Sequence, residues 1–256
     1  MHKIFLIGSL LSSPMAFANN QYDFEQQCDF HLNGDLEISP SVLNFHHGDK
    51  PLYRIENDNT LYVNKQKVTL SEKQSHALQE YNNSIRALIP EVKNIAIEGL
   101  NLAAYAVNLS FTELLGENNN VVVGVNKELM LIKQKINERF DTKQIISIDQ
   151  EGKFIENFFD EGFEQRFESI VETALTESMG TIIQQVLFSG NDMSSFETKM
   201  ETFGESMEKT MDAQGKLLEE KAGLLCSKVQ KLDVYERILQ NNIPALVSID
   251  VFTINK

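Results

Sequence analysis

An α+β fold is predicted: an N-terminal antiparallel β-meander packed on a bundle of about five helices, two of them long and amphipathic. Two patterns and the composition carry this reading. The apolar period is two in the segments between Leu36 and Leu70, and it changes to three-and-four after Ser71. Two later stretches, Lys153 to Phe188 and Ser194 to Leu239, hold the helical spacing throughout. The chain has 256 residues, 42% hydrophobic and 23% charged, with a mean hydropathy of -0.25, so it can bury a core. That composition excludes a disordered chain, and 13 Gly, 5 Pro and 2 Cys exclude collagen-like and disulfide-dense classes.

The N-terminus is read as a secretory signal peptide over residues 1–18. Lys3 supplies the basic start, Ile4 to Leu11 the short apolar run, and Ala16-Phe17-Ala18 the small-x-small end, so cleavage is expected after Ala18. The run is too short to span a bilayer. Ile95 to Phe111, the next most apolar stretch, is interrupted by Glu98, Asn101 and Asn108 and reads as a helix buried in protein. The mature chain is therefore expected to be soluble and exported.

The β-meander is assigned to residues 19–70. Tyr22 to Leu32 opens it, and Leu36-Glu37-Ile38 runs into Ser39 to Phe45 as one strand, which Pro40 demotes to an edge or bulged strand. Leu52 to Glu56, a turn at Asn57-Asp58-Asn59, Leu61 to Asn64, a turn at Asn64-Lys65 and Gln66 to Leu70 complete it.

The helical bundle is assigned to 71–240. Ser71 and Gln74 form a capping box, and Ala77, Leu78, Tyr81, Ile85 and Leu88 form the stripe of a first helix that Pro90 ends or kinks. Glu91 to Leu115, apolar on most sides, is expected as a second, central helix. After a break at Gly116 to Asn120, a third runs from about Asn126 to Phe140, followed by Ile145 to Ile148 as a short strand. The two long helices come next, broken at Gly190-Asn191, the last weakened by Gly204, Gly215 and Gly223. Residues 241–256 form a C-terminal extension whose Ala245 to Phe252 has β composition and is expected to rejoin the sheet. Residues 19–256 are read as one folding unit.

Cys28 and Cys226, alone in an exported chain, most simply pair with each other; the bland alternative is two buried thiols. Closing so long a loop is worth roughly 5 kcal/mol in the chain-entropy model. Net charge is -14 with a pI near 4.8, so no nucleic-acid partner is expected, because phosphate binding needs a basic footprint. Residues 149–220 hold 17 acidic and 5 basic side chains, read as a solvated helix face, with a basic partner or weak calcium binding as the sharper alternative.

The sharpest binding candidate is the seam Phe196, Met200, Phe203, Met207 and Met211. Thioether chains repack cheaply against irregular apolar surfaces, so an exposed seam suits an apolar client; packing against the preceding helix is the plain alternative. Two further sets could carry chemistry. His31, His46 and His47 with Asp49 have zinc- or copper-type donors but no fixed spacing. Glu98, buried among apolar residues with Arg86 as partner, would have the environment of a general acid. No phosphate loop, dinucleotide fingerprint or nucleophile elbow occurs. No catalytic residue and no cofactor is assigned.

Leu61 to Leu70, then Tyr81, Ile85-Arg86 and Pro90, then Ile95-Ala96-Ile97-Glu98-Gly99, resemble the YggN-like family, periplasmic proteins of unknown function in Gram-negative bacteria. The resemblance spans most of residues 28–232, most specifically 61–99. The export signal, the Ser39-Pro40 strand and a cysteine at each end fit the same pattern. Lys65 stands where the family often has Gly, and Gln240 to Lys256 looks like an extension. The resemblance implies location and architecture and lends no catalytic residue. The expected function is thus a non-enzymatic binding, chaperone-like or scaffold protein of the envelope for a protein or apolar client. The alternative is a metal-binding protein or hydrolytic enzyme using the histidines or Glu98.

Overall fold

The computed structural model describes residues 30–115, 119–150, 162–170, 172–173, 176 and 193–254. The expected signal-peptide segment, Cys28, and most of the expected Lys153 to Phe188 helix with its Gly190-Asn191 break lie outside the described residues. The described residues form an α+β fold in which an antiparallel sheet lies on one end of a set of long helices. The strands are β1 (Phe30–Leu32), β2 (Asp35–Ile38), β3 (Val42–His47), β4 (Lys50–Glu56), β5 (Thr60–Val63), β6 (Gln66–Lys67), β7 (Ile146–Ile148) and β8 (Phe252–Ile254). The helices are α1 (Glu72–Leu115), α2 (Asn120–Arg139), α3 (163–170) and α4 (Met193–Asn242), followed by a 3-10 turn at Pro244–Leu246. Among the described residues there are thus four helices rather than about five.

The main sheet has six strands in the order β6-β5-β4-β3-β2-β7, every neighbouring pair antiparallel. Its period-two pattern buries Leu36, Ile38, Leu43, Phe45, Tyr53, Ile55, Leu61 and Val63 on one face. Leu78, Tyr81, Ile85, Leu88 and Ile89 of α1, Ile132 and Ile136 of α2, and Leu232 and Leu239 of α4 cover that face. Asn64 (φ 50°) and Lys65 (φ 66°) both sit in the left-handed region, so the β5–β6 turn forms as anticipated at a position uncomfortable for lysine. At Gly34 (φ 141°) an added Cβ would lie 2.7 Å from the His46 carbonyl oxygen, so only glycine fits there.

Pro40 is not in a strand. It lies in the tight connection between β2 and β3, where Ser39 N–H donates to the Val42 carbonyl at 2.8 Å and the Val42 amide donates to Ser39 Oγ at 3.1 Å. The expected single strand is two strands paired with each other, and β3 is central, not an edge. The irregularity in this part of the sheet is instead a register shift at Phe45/His46, which leaves Leu52 of β4 unpaired.

Pro90 does not divide the first helix either. α1 runs unbroken for 44 residues, capped by Ser71, whose Oγ accepts from the Gln74 amide while Gln74 Oε1 accepts from the Ser71 amide. Pro90 is exposed, so its ring displaces no core contact and the helix tolerates the one backbone hydrogen bond that proline cannot donate. The C-terminal part of α1, expected to be central, has no fully buried residue between 91 and 112. α2 starts earlier than expected: Asn119 Oδ1 accepts from Val122 N at 2.8 Å, and Val121 and Val125 are buried against Val107, Phe111, Leu129 and Ile170. Packing and a cap here override the weak helix propensity of Val121 to Val123.

The C-terminal strand does not rejoin the main sheet. β8 pairs with β1 in a separate antiparallel ribbon, Leu32 opposite Phe252. Phe252 joins the core through ring contacts with Phe30, Phe45 and Tyr81 at 5.5, 6.0 and 6.1 Å. No described helix is long and apolar enough to cross a membrane.

Candidate functional site

Beyond the sheet, α1 and α4 run side by side and leave a groove of about 500 Å³ between them. Leu102 and Tyr105 of α1 and Leu217 and Leu218 of α4 give it an apolar floor and lip, with Asn101, Thr210 and Gln214 as the neutral polar part. One end is closed by Glu98, whose carboxylate accepts from Lys221 Nζ at 2.6 and 2.7 Å. Glu98 is 42% exposed, so it is a surface ion-pair partner; its cation is Lys221 and not Arg86. Tyr105 is 45% and Leu217 53% exposed.

The methionine seam runs into this groove along α4. Phe203, Met207 and Met211 are half-buried, and Met207 Sδ accepts from Ser110 Oγ of α1 at 3.5 Å. The seam is therefore in contact with α1 while leaving part of each side chain open. Phe196 and Met200 lie on α4, but their side chains are outside the described residues. Glu201, Glu205 and Glu208 flank the seam and are exposed, as a solvated face requires.

The histidines are not brought together. His31 is exposed on β1, in the ribbon; His46 and His47 follow each other on β3; Asp49 is exposed in the β3–β4 turn. His46 Nδ1 donates to the Gly48 carbonyl at 2.9 Å and lies 3.4 Å from Asp35 Oδ2. Among the described residues no three His, Cys, Asp or Glu side chains converge as a metal site. The surrounding sheet face is a second shallow depression, where Arg54 stacks over the Tyr62 ring at 5.0 Å and pairs with Glu56 at 2.8 Å.

Arg86 has a structural position. Its Nη1 donates to the Ser39 carbonyl at 2.6 Å and its Nε to Asn82 Oδ1 at 3.2 Å, while Asn82 Nδ2 donates to Asp58 Oδ1 at 2.9 Å. α1 is thus fastened to two sheet turns at once. Burial lowers the Arg86 pKa, against the pull of Asp58. Cys226 is buried in α4, 6% exposed, with its partner in the sequence-based pairing, Cys28, outside the described residues.

A buried polar network escaped the sequence reading. Glu236 of α4 is 3% exposed and accepts from the Phe252 amide at 2.8 Å and the Val251 amide at 3.0 and 3.1 Å. Tyr53 faces the same carboxyl, and its hydroxyl is 2.7 Å from the hydroxyl of Tyr81. Burial raises the Glu236 pKa to about 7, outweighing the two backbone donors, with Asp250 and Asp233 adding to the rise. Both tyrosines are pushed up by burial first, Tyr53 next by Glu236 and Tyr81 next by Tyr53. A signal was present: Glu236 falls four residues after Leu232 and three before Leu239, on the inward seam of α4.

A second buried carboxylate, Glu128 of α2, makes a two-pronged pair with Arg166 of α3 at 2.8 and 2.9 Å. It holds α3 against α2, where a Cβ added at Gly124 would come within 2.9 Å of the Ile170 side chain.

No curated protein and no solved structure matches the chain. One family model does, over residues 28–252, which extends past the 28–232 span of the sequence resemblance and takes in most of the C-terminal tail. With that match covering the sheet, the groove and the Glu236 network alike, the chain belongs to the family described as protein of unknown function (DUF2884).

Proposed function

We infer that the chain is an exported envelope protein that binds an apolar segment of a client protein in the α1–α4 groove. The observation that supports this best is the continuity of two features: the half-buried Phe203, Met207 and Met211 lead into the groove floor at Leu217 and Leu218. Apolar lining with a few neutral polar groups and adaptable thioethers suits sequence-tolerant capture. The groove's one charged pair is already neutralised, so it selects for apolar surface over charge. A periplasmic address rests on the signal-peptide pattern and the YggN-like resemblance, and the Cys28–Cys226 bond on export and the lone pair of cysteines.

Capture is tested with purified mature protein and a chemically denatured reporter whose aggregation is followed by light scattering. Wild type should suppress scattering. Met207→Ser with Met211→Ser should abolish suppression while costing about 1 kcal/mol of stability per site, the value for a half-buried side chain. Loss of roughly 2 kcal/mol or more per site with suppression intact would make the seam a packing element. Export is checked by intact mass from the periplasmic fraction, which should begin at Asn19, and the disulfide by alkylation without reductant, which should label no thiol.

A further inference from the structure

α4 carries two stripes with three-and-four spacing, and among the described residues only one of them is packed into the fold. The inner stripe, including Leu218, Leu225, Leu232, Glu236 and Leu239, faces α1 and the core. The outer stripe alternates Ala213, Glu220, Ser227 and Val234 with Leu217, Leu224, Lys231 and Ile238, and all eight are exposed. Leu217, Leu224, Val234 and Ile238 are 53%, 60%, 48% and 42% exposed. A second seam that repeats every seven residues over about 38 Å of helix has the pattern of a helix–helix contact.

The charges on the stripe select the occupant and its direction. In a parallel pairing, Glu220 would meet Glu220 and Lys231 would meet Lys231, which is repulsive twice. In an antiparallel pairing the two classes of position meet each other. With the two-fold axis between residues 225 and 226, Glu220 meets Lys231 of the second copy, Leu217 meets Val234, Leu224 meets Ser227 and Ala213 meets Ile238. Each layer then joins a large side chain to a smaller one, or the stripe's acid to its base. Sliding the pairing by one heptad sets Glu220 against Leu224 or Ile238 and loses the match. A surface that complements itself under a two-fold rotation is what an isologous dimer requires.

We propose that the outer face of α4 is a homodimer interface, in which two copies pair antiparallel through residues 213–238. A single helix pair of this length falls at the low end of stable interface sizes, so association is concentration-dependent. Leu217 borders both this face and the groove, so dimerisation would place a wall beside the client site, but the interface does not depend on the groove binding anything.

Sedimentation equilibrium of the full mature protein over a concentration series provides the test, with Glu220→Lys, Lys231→Glu and the double swap. Wild type should follow a monomer–dimer equilibrium. Each single change should raise the dimer Kd about tenfold or more, since two opposite-charge contacts become like-charge ones, and the double swap should restore it to within about threefold. Leu224→Gln, which alters no charge, should also weaken the dimer, and it decides the matter if a charge variant loses helical signal. A wild type that stays monomeric across the series, or a double swap as weak as the singles, overturns the interface. Neither result bears on reporter capture, which reads the groove separately.

Discussion

Replacing Glu236 with Gln should change how stability depends on pH, in a direction the buried network fixes. The carboxyl titrates at about 7 in the folded chain and at its ordinary 4.5 when unfolded. Folding therefore favours the protonated form, and this contribution is fully present below 4.5 and lost as pH rises through 7. The full loss is the separation of the two values times 1.36 kcal/mol, about 3 kcal/mol between pH 4.5 and 8. Gln has nearly the same shape, can accept from the Val251 or Phe252 amide, and does not ionise. Stability of Glu236→Gln relative to wild type should then rise by about 3 kcal/mol from pH 4.5 to pH 8, roughly 6–12 °C in melting midpoint for a domain of this size. Denaturant melts of both proteins at several pH values measure the difference, so shifts from the other carboxylates cancel. A difference flat with pH would refute the argument, because it would mean that the two backbone donors around the carboxyl offset its burial.

Other substitutions test separate parts of the fold. Gly204→Ala and Gly215→Ala should each stabilise by about 0.5–1 kcal/mol in chemical denaturation, because both lie in α4 and an added Cβ meets nothing within 4 Å. Gly34→Ala should destabilise by more than 1 kcal/mol in the same assay, since it combines a positive φ with a 2.7 Å approach to the His46 carbonyl. Arg166→Ala should cost about 3 kcal/mol by leaving the Glu128 carboxylate, 4% exposed, without its partner, and restoring charge balance with Glu128→Gln should recover part of it.

Local features were legible in the sequence and long-range ones were not. Ser71 and Gln74 announced the start of α1, and Asn57-Asp58 and Asn64-Lys65 announced the turns, because each signal lies within a few residues of what it controls. Pro40 and Pro90 misled in opposite directions: one sits in a two-strand connection that reads as continuous strand, the other on an exposed face of a helix that runs on unbroken. The β composition of the tail was visible, but its pairing with residues 30–32 spans almost the whole chain and leaves no local trace. The seam of α4 was found as a stripe, yet whether it is open depends on how α1 lies against it. Glu236 was passed over as one charged residue in a charged helix, although its seam position separates it from Asp233 and Arg237 beside it.

The claim that the groove is a client site is tested most directly by position-resolved photo-crosslinking in intact cells. A photoreactive residue at Tyr105, on the groove lip, is compared with one at Val247, which is 66% exposed but remote from the groove in the C-terminal turn. The groove position should give client adducts that fall when Met207 and Met211 are changed to Ser, while position 247 gives none. Equal adducts from both positions, or adducts at 105 that survive the methionine changes, would contradict a binding role for the groove.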